Sequence, residues 1–223
     1  TMEGGGFSFL EFWKRRFARL FPAMLVTVAA TLVAGYFLLG VSDMERLGQT
    51  SMAAALSVSN FIFWGEAGYF DASAYNKPLL HTWSLGVEEQ FYVVWPLIIA
   101  ALFFLKNRAV LIAGIAVLSV ASLVAAFVFV QDHASAVFFL MPFRIFQFGL
   151  GAIAALIALR LSGHLGSALM VLGVAGIIAL SVIVEGETSP LALAAVAPVA
   201  FAFLAFLGVD SPIGRVVMGS APM

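Results

Sequence analysis

A chain of 223 residues with 63% hydrophobic and 10% charged residues, at a mean hydropathy of +1.08, carries more apolar surface than a soluble domain of this length buries. It reads as an integral membrane protein. The net charge of −1 gives no basic footprint for nucleic acid, and the absence of cysteine removes disulfides, thiolate nucleophiles and thiolate metal sites together.

The first six residues have neither the charged start nor the short apolar core of a signal peptide, and residues 219–223 read as a loop, so a fragment cut at both ends is expected. Residues 7–19 (FSFLEFWKRRFAR) form an aromatic and basic segment, with Lys14, Arg15, Arg16 and Arg19 directly before an apolar run. The positive-inside rule places it in the cytoplasm. Two readings of the cluster stay open: a topology signal that also touches anionic membrane lipid, or a site for a phosphorylated donor. The second rests on Arg16 and Arg19 being three apart on one helix face suited to phosphate oxygens.

Residues 21–41 are long enough to span the bilayer, with Pro22 in the first turn, and residues 42–49 (SDMERLGQ) follow as a loop. Residues 51–64 are short and carry Ser51, Ser57, Ser59 and Asn60, which suits a re-entrant segment. Further spans are expected at 85–105, 109–130, 137–159, 167–184 and 191–209. If residues 51–64 do not cross, Lys106, Arg108, Arg160 and Arg215 fall inside and Asp132, Glu185 and Glu187 outside; if they do cross, every one of these is reversed against the charge bias. The expected fold is an all-α polytopic membrane bundle of about six spans plus one re-entrant segment. Residues 65–83 then lie outside, with Trp64, Tyr69, Phe70, Tyr75 and Trp83 as interface anchors or as walls of a sugar site.

Residues 78–96 (PLLHTWSLGVEEQFYVVWP) place His81, Trp83, Ser84, Glu88, Glu89 and Gln90 at the mouth of an apolar helix. Ionisable groups at the edge of hydrocarbon are costly and mark functional sites. His81, Ser84, Glu88, Tyr92 and Trp95 recur at spacings of three and four, which draws a polar stripe down one helix face from the outer mouth. Arg144, about seven residues into the span 137–159, is the other intramembrane charge, and a salt bridge from it to Glu88 or Glu89 is expected. Gly149, Gly151, Ala152, Ala154 and Ala155 behind it suit close helix packing. The three histidines, His81, His133 and His164, are far apart with no metal-ligand spacing, so no metal site is expected.

FWKRRFARLFPAML (12–25), SNFIFW (59–64), PLLHTWSLGVEEQFYVVWPL (78–97) and FRIFQFGLGAIAAL (143–156) together resemble the membrane acyltransferase-3 family, the bacterial O-acyltransferases of lipopolysaccharide, capsule, peptidoglycan and exported sugars. The resemblance implies a ten-helix domain, with two helices before Thr1 and two after Met223, and a proposed catalytic His upstream of this sequence. It matches Arg16 and Arg19 to an R-x-x-R pair proposed to contact acyl-CoA on the cytoplasmic side. Glu88 and Glu89 match the family's glutamates. The implied reaction takes an acyl group, commonly acetyl, from acyl-CoA as donor substrate, with no bound cofactor. It delivers that group to a hydroxyl of an extracytoplasmic carbohydrate or lipid-linked sugar, from the bacterial inner membrane. Glu88, Glu89 and His81 are the candidates for acid-base work, with Trp83, Ser84, Gln90, Tyr92 and Arg144 in support. A transporter or flippase is the competing class, since it would carry the same intramembrane Arg and Glu without an acyl donor.

Overall fold

The computed structural model describes residues 8–67, 77–103, 107–157, 160–183 and 196–218. Tyr69, Phe70, Tyr75, Lys106, Glu185 and Glu187 lie outside the described residues, as does the start of the span expected at 191–209. Among the described residues every regular element is helical: α1 (Phe9–Leu38), α2 (Val41–Ala55), α3 (Ser59–Glu66), α4 (Thr82–Phe103), α5 (Arg108–Phe129), α6 (Ala134–Phe139), α7 (Ile145–Ile157), α8 (Gly163–Ile183), α9 (Ala197–Leu207) and α10 (Pro212–Met218). The chain divides into two compact units, residues 1–94 with 138–141 and residues 95–137 with 142–223.

In the first unit, α1 opens on Ser8, whose hydroxyl accepts from the Glu11 N–H at 3.4 Å in the Ser-x-x-Glu spacing of a helix start. The helix continues through Pro22, which therefore sits inside it and not in its first turn; lacking an N–H, Pro22 cannot donate to the Ala18 carbonyl. Met24 and Val28 of α1 join Leu47 and Ala54 of α2 and Leu79 in one apolar cluster. This is the core of the unit.

Residues 42–49, expected as a loop, belong to α2. The polar residues lie on a helix whose other face, through Leu47, Thr50, Ala53 and Ala54, is buried. The expected segment 51–64 is likewise divided between α2 and α3. The break is a Schellman turn: Val58 N–H donates to the Ala53 carbonyl at 2.8 Å, Ser57 N–H to the Ala54 carbonyl at 3.0 Å, and Ser57 takes φ 58°. A serine occupies the left-handed position that glycine usually fills.

Asn60 is fully buried where α3 meets α4. Its amide donates to the Phe139 carbonyl at 3.1 Å, and Gln90 of α4 donates to its side-chain oxygen at 2.7 Å. Gly86 permits this approach, because a Cβ there would lie 2.9 Å from Asn60 Oδ1 and 3.1 Å from the Ser57 carbonyl oxygen. Beside it the Thr82 hydroxyl donates to the Leu79 carbonyl at 2.7 Å and lies 2.9 Å from the Ser59 hydroxyl.

In the second unit α5 packs on α7, and α8 on α9. The expected continuous span 137–159 is interrupted: α6 ends at Phe139, a 3-10 turn covers Met141–Arg144, and α7 starts at Ile145. Pro142 lies in the turn and has no N–H to give the Phe138 carbonyl, and Ser122 seats the start of α7. Its hydroxyl donates to the Pro142 carbonyl at 2.6 Å and accepts from the Phe146 N–H at 3.3 Å, standing between the two groups that an i to i−4 helical bond would join. Gly149 then lies against Ser119 with no room for a Cβ, as a small-residue packing surface requires, whereas Gly151 faces open space.

Among the described residues three helices are long and apolar enough to cross a membrane, Phe9–Leu38, Arg108–Phe129 and Gly163–Val182, with shorter apolar helices at Met141–Ile157 and Ala197–Leu207. Six spans were expected. Val33 and Phe37 of α1, Val117 and Val120 of α5, and Leu172 and Ile178 of α8 are each more than half exposed, the outward apolar surface that lipid contact demands.

Candidate functional site

The candidate constellation is built on α1 and α4 within the first unit. The two helices run antiparallel where they meet: Trp13 Nε1 donates to the Tyr92 carbonyl at 3.2 Å, and one turn further along α1 Arg16 Nε donates to Glu89 Oε1 at 2.8 Å, nearly one turn earlier in α4. Arg16 Nη2 lies 3.8 Å from Glu88 Oε2. Its guanidinium carbon sits 3.2 Å from the Tyr92 ring centroid. One guanidinium thus meets two carboxylates and an aromatic face, which holds a partly buried charge in place by ion pairing and by the ring quadrupole.

Around Arg16 opens a cleft of about 500 Å³ lined by Phe12, Arg15, Arg16, Arg19, Leu20, Glu88 and Tyr92. Its volume is within the range of small-molecule sites, roughly 300–1,000 Å³. The lining carries three guanidiniums and the Glu88 carboxylate; Glu89, 2.8 Å from Arg16, and Glu11, 3.9 Å from Arg15, balance part of that charge, and the guanidinium hydrogens that remain suit an anion. Phe12 and Tyr92, with ring centroids 6.2 Å apart, form its aromatic wall.

The predicted pair Arg16 and Arg19 is therefore brought to one cleft, together with Glu88 and Tyr92. The expectation that set the basic segment on one side of the membrane and the glutamates on the other is corrected by the Arg16–Glu89 contact. Charge bias along the sequence assigns sides to loops, but Glu88 and Glu89 lie two turns inside α4, at a depth that only the packing of α1 fixes. The glutamates' observed partner is Arg16, where Arg144 was expected. Arg144 closes the 3-10 turn of the second unit.

The other predicted residues have local roles. His81 is exposed in the turn before α4 and is outside the cleft lining; its carbonyl accepts from the Ser84 hydroxyl at 3.2 Å. Trp83 packs against Phe138 and Phe139 at centroid distances of 4.6 and 5.6 Å. Gln90 belongs to the Asn60 network.

A second polar cluster went unrecognised in the sequence. Glu66 bridges Arg46 Nε at 3.5 Å and Lys77 Nζ at 3.4 Å, and the Lys77 side chain is only 5% exposed. Leu47, next to Arg46, lies beside Gly35 of α1. Nineteen residues of helix separate Gly35 from Arg16, about 28 Å, so the two ionic clusters belong to opposite ends of α1. A Lys directly before Pro78 was the available signal.

With every regular element among the described residues helical, and long helices that present apolar side chains outward, this is a helical integral membrane protein. It belongs to the acyltransferase 3 family, whose acyltransferase domain matches residues 4–218. The chain is similar to the peptidoglycan O-acetyltransferase OatA of Listeria monocytogenes, 35% identical over 104 residues, 46% of this chain and 17% of that protein. It is similar to O-acetyltransferase OatA of Staphylococcus aureus, 34% identical over 152 residues, 66% of this chain and 25% of that protein. The putative peptidoglycan O-acetyltransferase YrhL of Bacillus subtilis is 33% identical over 118 residues, 52% of this chain and 18% of that protein. The matched stretches thus span a quarter or less of these three relatives. No solved structure matches the chain significantly.

Proposed function

We infer that this protein transfers an acyl group, acetyl in the first instance, from acyl-CoA to a hydroxyl of a cell-surface carbohydrate at the bacterial inner membrane. In that reaction the acyl carbon–sulfur bond breaks, a carbon–oxygen bond forms, the hydroxyl proton passes to a base, and CoA leaves as its thiol. The observation that carries the reading is the cleft with Arg15, Arg16 and Arg19 along its wall, which offers guanidinium donors to the phosphates of a CoA donor. Phe12 and Tyr92 add aromatic surface for its apolar or ring portions. Family membership supports acyl transfer, and the names of the Listeria monocytogenes and Bacillus subtilis relatives favour peptidoglycan as the first acceptor to test, ahead of lipopolysaccharide or capsule.

Glu88 and Glu89 serve on this reading as counterions and orienting groups of the donor side, since both face Arg16. The test is acetyl-CoA binding and acetyl transfer to glycan by the protein in lipid nanodiscs, comparing the wild type with the Arg16→Ala/Arg19→Ala double variant. Loss of both is expected. Retained transfer would overturn the reading, and substrate flux across vesicles that persists in the double variant without acetylation would identify a transporter.

A further inference from the structure

Glu88 and Glu89 are adjacent in sequence and both face Arg16, yet their geometries differ in a way that assigns them different roles. Glu89 accepts from Arg16 Nε at 2.8 Å, its side chain is 28% exposed, and it is absent from the cleft lining. Glu88 stands 3.8 Å from Nη2, beyond hydrogen-bond distance; its side chain is 48% exposed and it lines the cleft. One carboxylate is bonded behind the guanidinium. The other only neighbours it, on the open side.

We propose that Glu88 occupies the seat of the ligand's phosphate, as a displaceable carboxylate that shields Arg16 while the cleft is empty, whereas Glu89 is the fixed positioning residue. This rests on the donor reading of the cleft. A phosphate that enters takes the Nη2 hydrogens to which Glu88 is only close, and it brings the charge and the several acceptor oxygens that make a phosphate–guanidinium pair stronger than a loose carboxylate contact. Glu89 keeps Nε, and Tyr92 keeps the guanidinium plane, so the arginine need not reorient. Displacement of Glu88 gives selectivity by charge: a pyrophosphate gains more at the vacated guanidinium hydrogens than a neutral or weakly anionic ligand does.

The two glutamates consequently make opposite predictions. Glu88→Gln removes the competitor and tightens acetyl-CoA binding about twofold to fivefold. Glu88→Asp retains the charge and binds nearer the wild type. Glu89→Gln loosens the hold on Arg16 and weakens binding by a similar factor or more. The experiment is equilibrium binding of acetyl-CoA to the protein in nanodiscs, with inorganic pyrophosphate as competitor and thermal unfolding to verify that each variant is folded. Pyrophosphate competes more strongly against Glu88→Gln than against the wild type if the seat is a phosphate seat. Unchanged or weaker acetyl-CoA binding by a folded Glu88→Gln variant, with Arg16→Ala still impaired, overturns the displaceable seat and leaves the donor cleft standing. Unimpaired binding by Arg16→Ala overturns the donor cleft itself.

Discussion

Asn60 and Gln90 hold each other through both ends of their amides, Gln90 Nε2 donating to Asn60 Oδ1 at 2.7 Å and Asn60 Nδ2 approaching Gln90 Oε1 at 3.4 Å. The pair joins α3 to α4 only two residues from the carboxylate that closes the Arg16 cleft, so the stability of α3 and the placement of Glu88 are linked along one helix. Replacement of the buried Asn60 by Ala leaves Gln90 and the Phe139 carbonyl without that partner and is expected to cost about 1–3 kcal/mol. Denaturant unfolding in detergent checks the magnitude.

The Tyr92 ring beneath Arg16 contributes through its face and not through its hydroxyl. Tyr92→Phe is expected to bind acetyl-CoA within about twofold of wild type, whereas Tyr92→Leu, losing roughly 0.5–2 kcal/mol of cation–π attraction, binds several-fold more weakly. Equal effects of the two substitutions would contradict this account.

Glu66 carries two cations, one of them on the nearly buried Lys77 side chain. Removal of one partner of a buried pair costs about 3–5 kcal/mol, less here because Glu66 is 21% exposed. Lys77→Met alone should therefore destabilise the protein by about 2 kcal/mol or more, and adding Glu66→Gln to it should recover part of the loss. A double-mutant cycle of melting temperatures measures the recovery.

Gly149 and Ser119 make a size-complementary pair between α5 and α7. Gly149→Ala drives a methyl into the Ser119 hydroxyl and should destabilise by about 1–3 kcal/mol, and Ser119→Ala, which deletes that oxygen, should relieve some of it. Additive losses in the double variant would show that the two helices do not meet there.

Ser57 adopts φ 58°, a conformation that L side chains disfavour. Ser57→Gly keeps the Schellman hydrogen bonds and should raise stability by about 0.5 kcal/mol once the greater freedom of glycine in the unfolded chain is subtracted; Ser57→Val should lower it. Paired thermal melts distinguish the two directions.

Composition alone established the class, because a chain this apolar has no other way to satisfy its surface, and the sequence named Arg16, Arg19, Glu88 and Tyr92 as candidates, four residues that line one cleft. Those signals are local: hydropathy and helical spacing depend on neighbours a few positions away. What the sequence left undecided was which elements become neighbours. Arg16 and Glu89 are 73 positions apart, and their pairing follows from the antiparallel approach of α1 and α4. The seating of α7 has the same origin, since Ser122, some twenty residues distant, supplies the hydroxyl between the Phe146 N–H and the Pro142 carbonyl. Charge partners and helix seatings of this kind are fixed by side chains arriving from elsewhere in the chain, and only the tertiary structure brings them there.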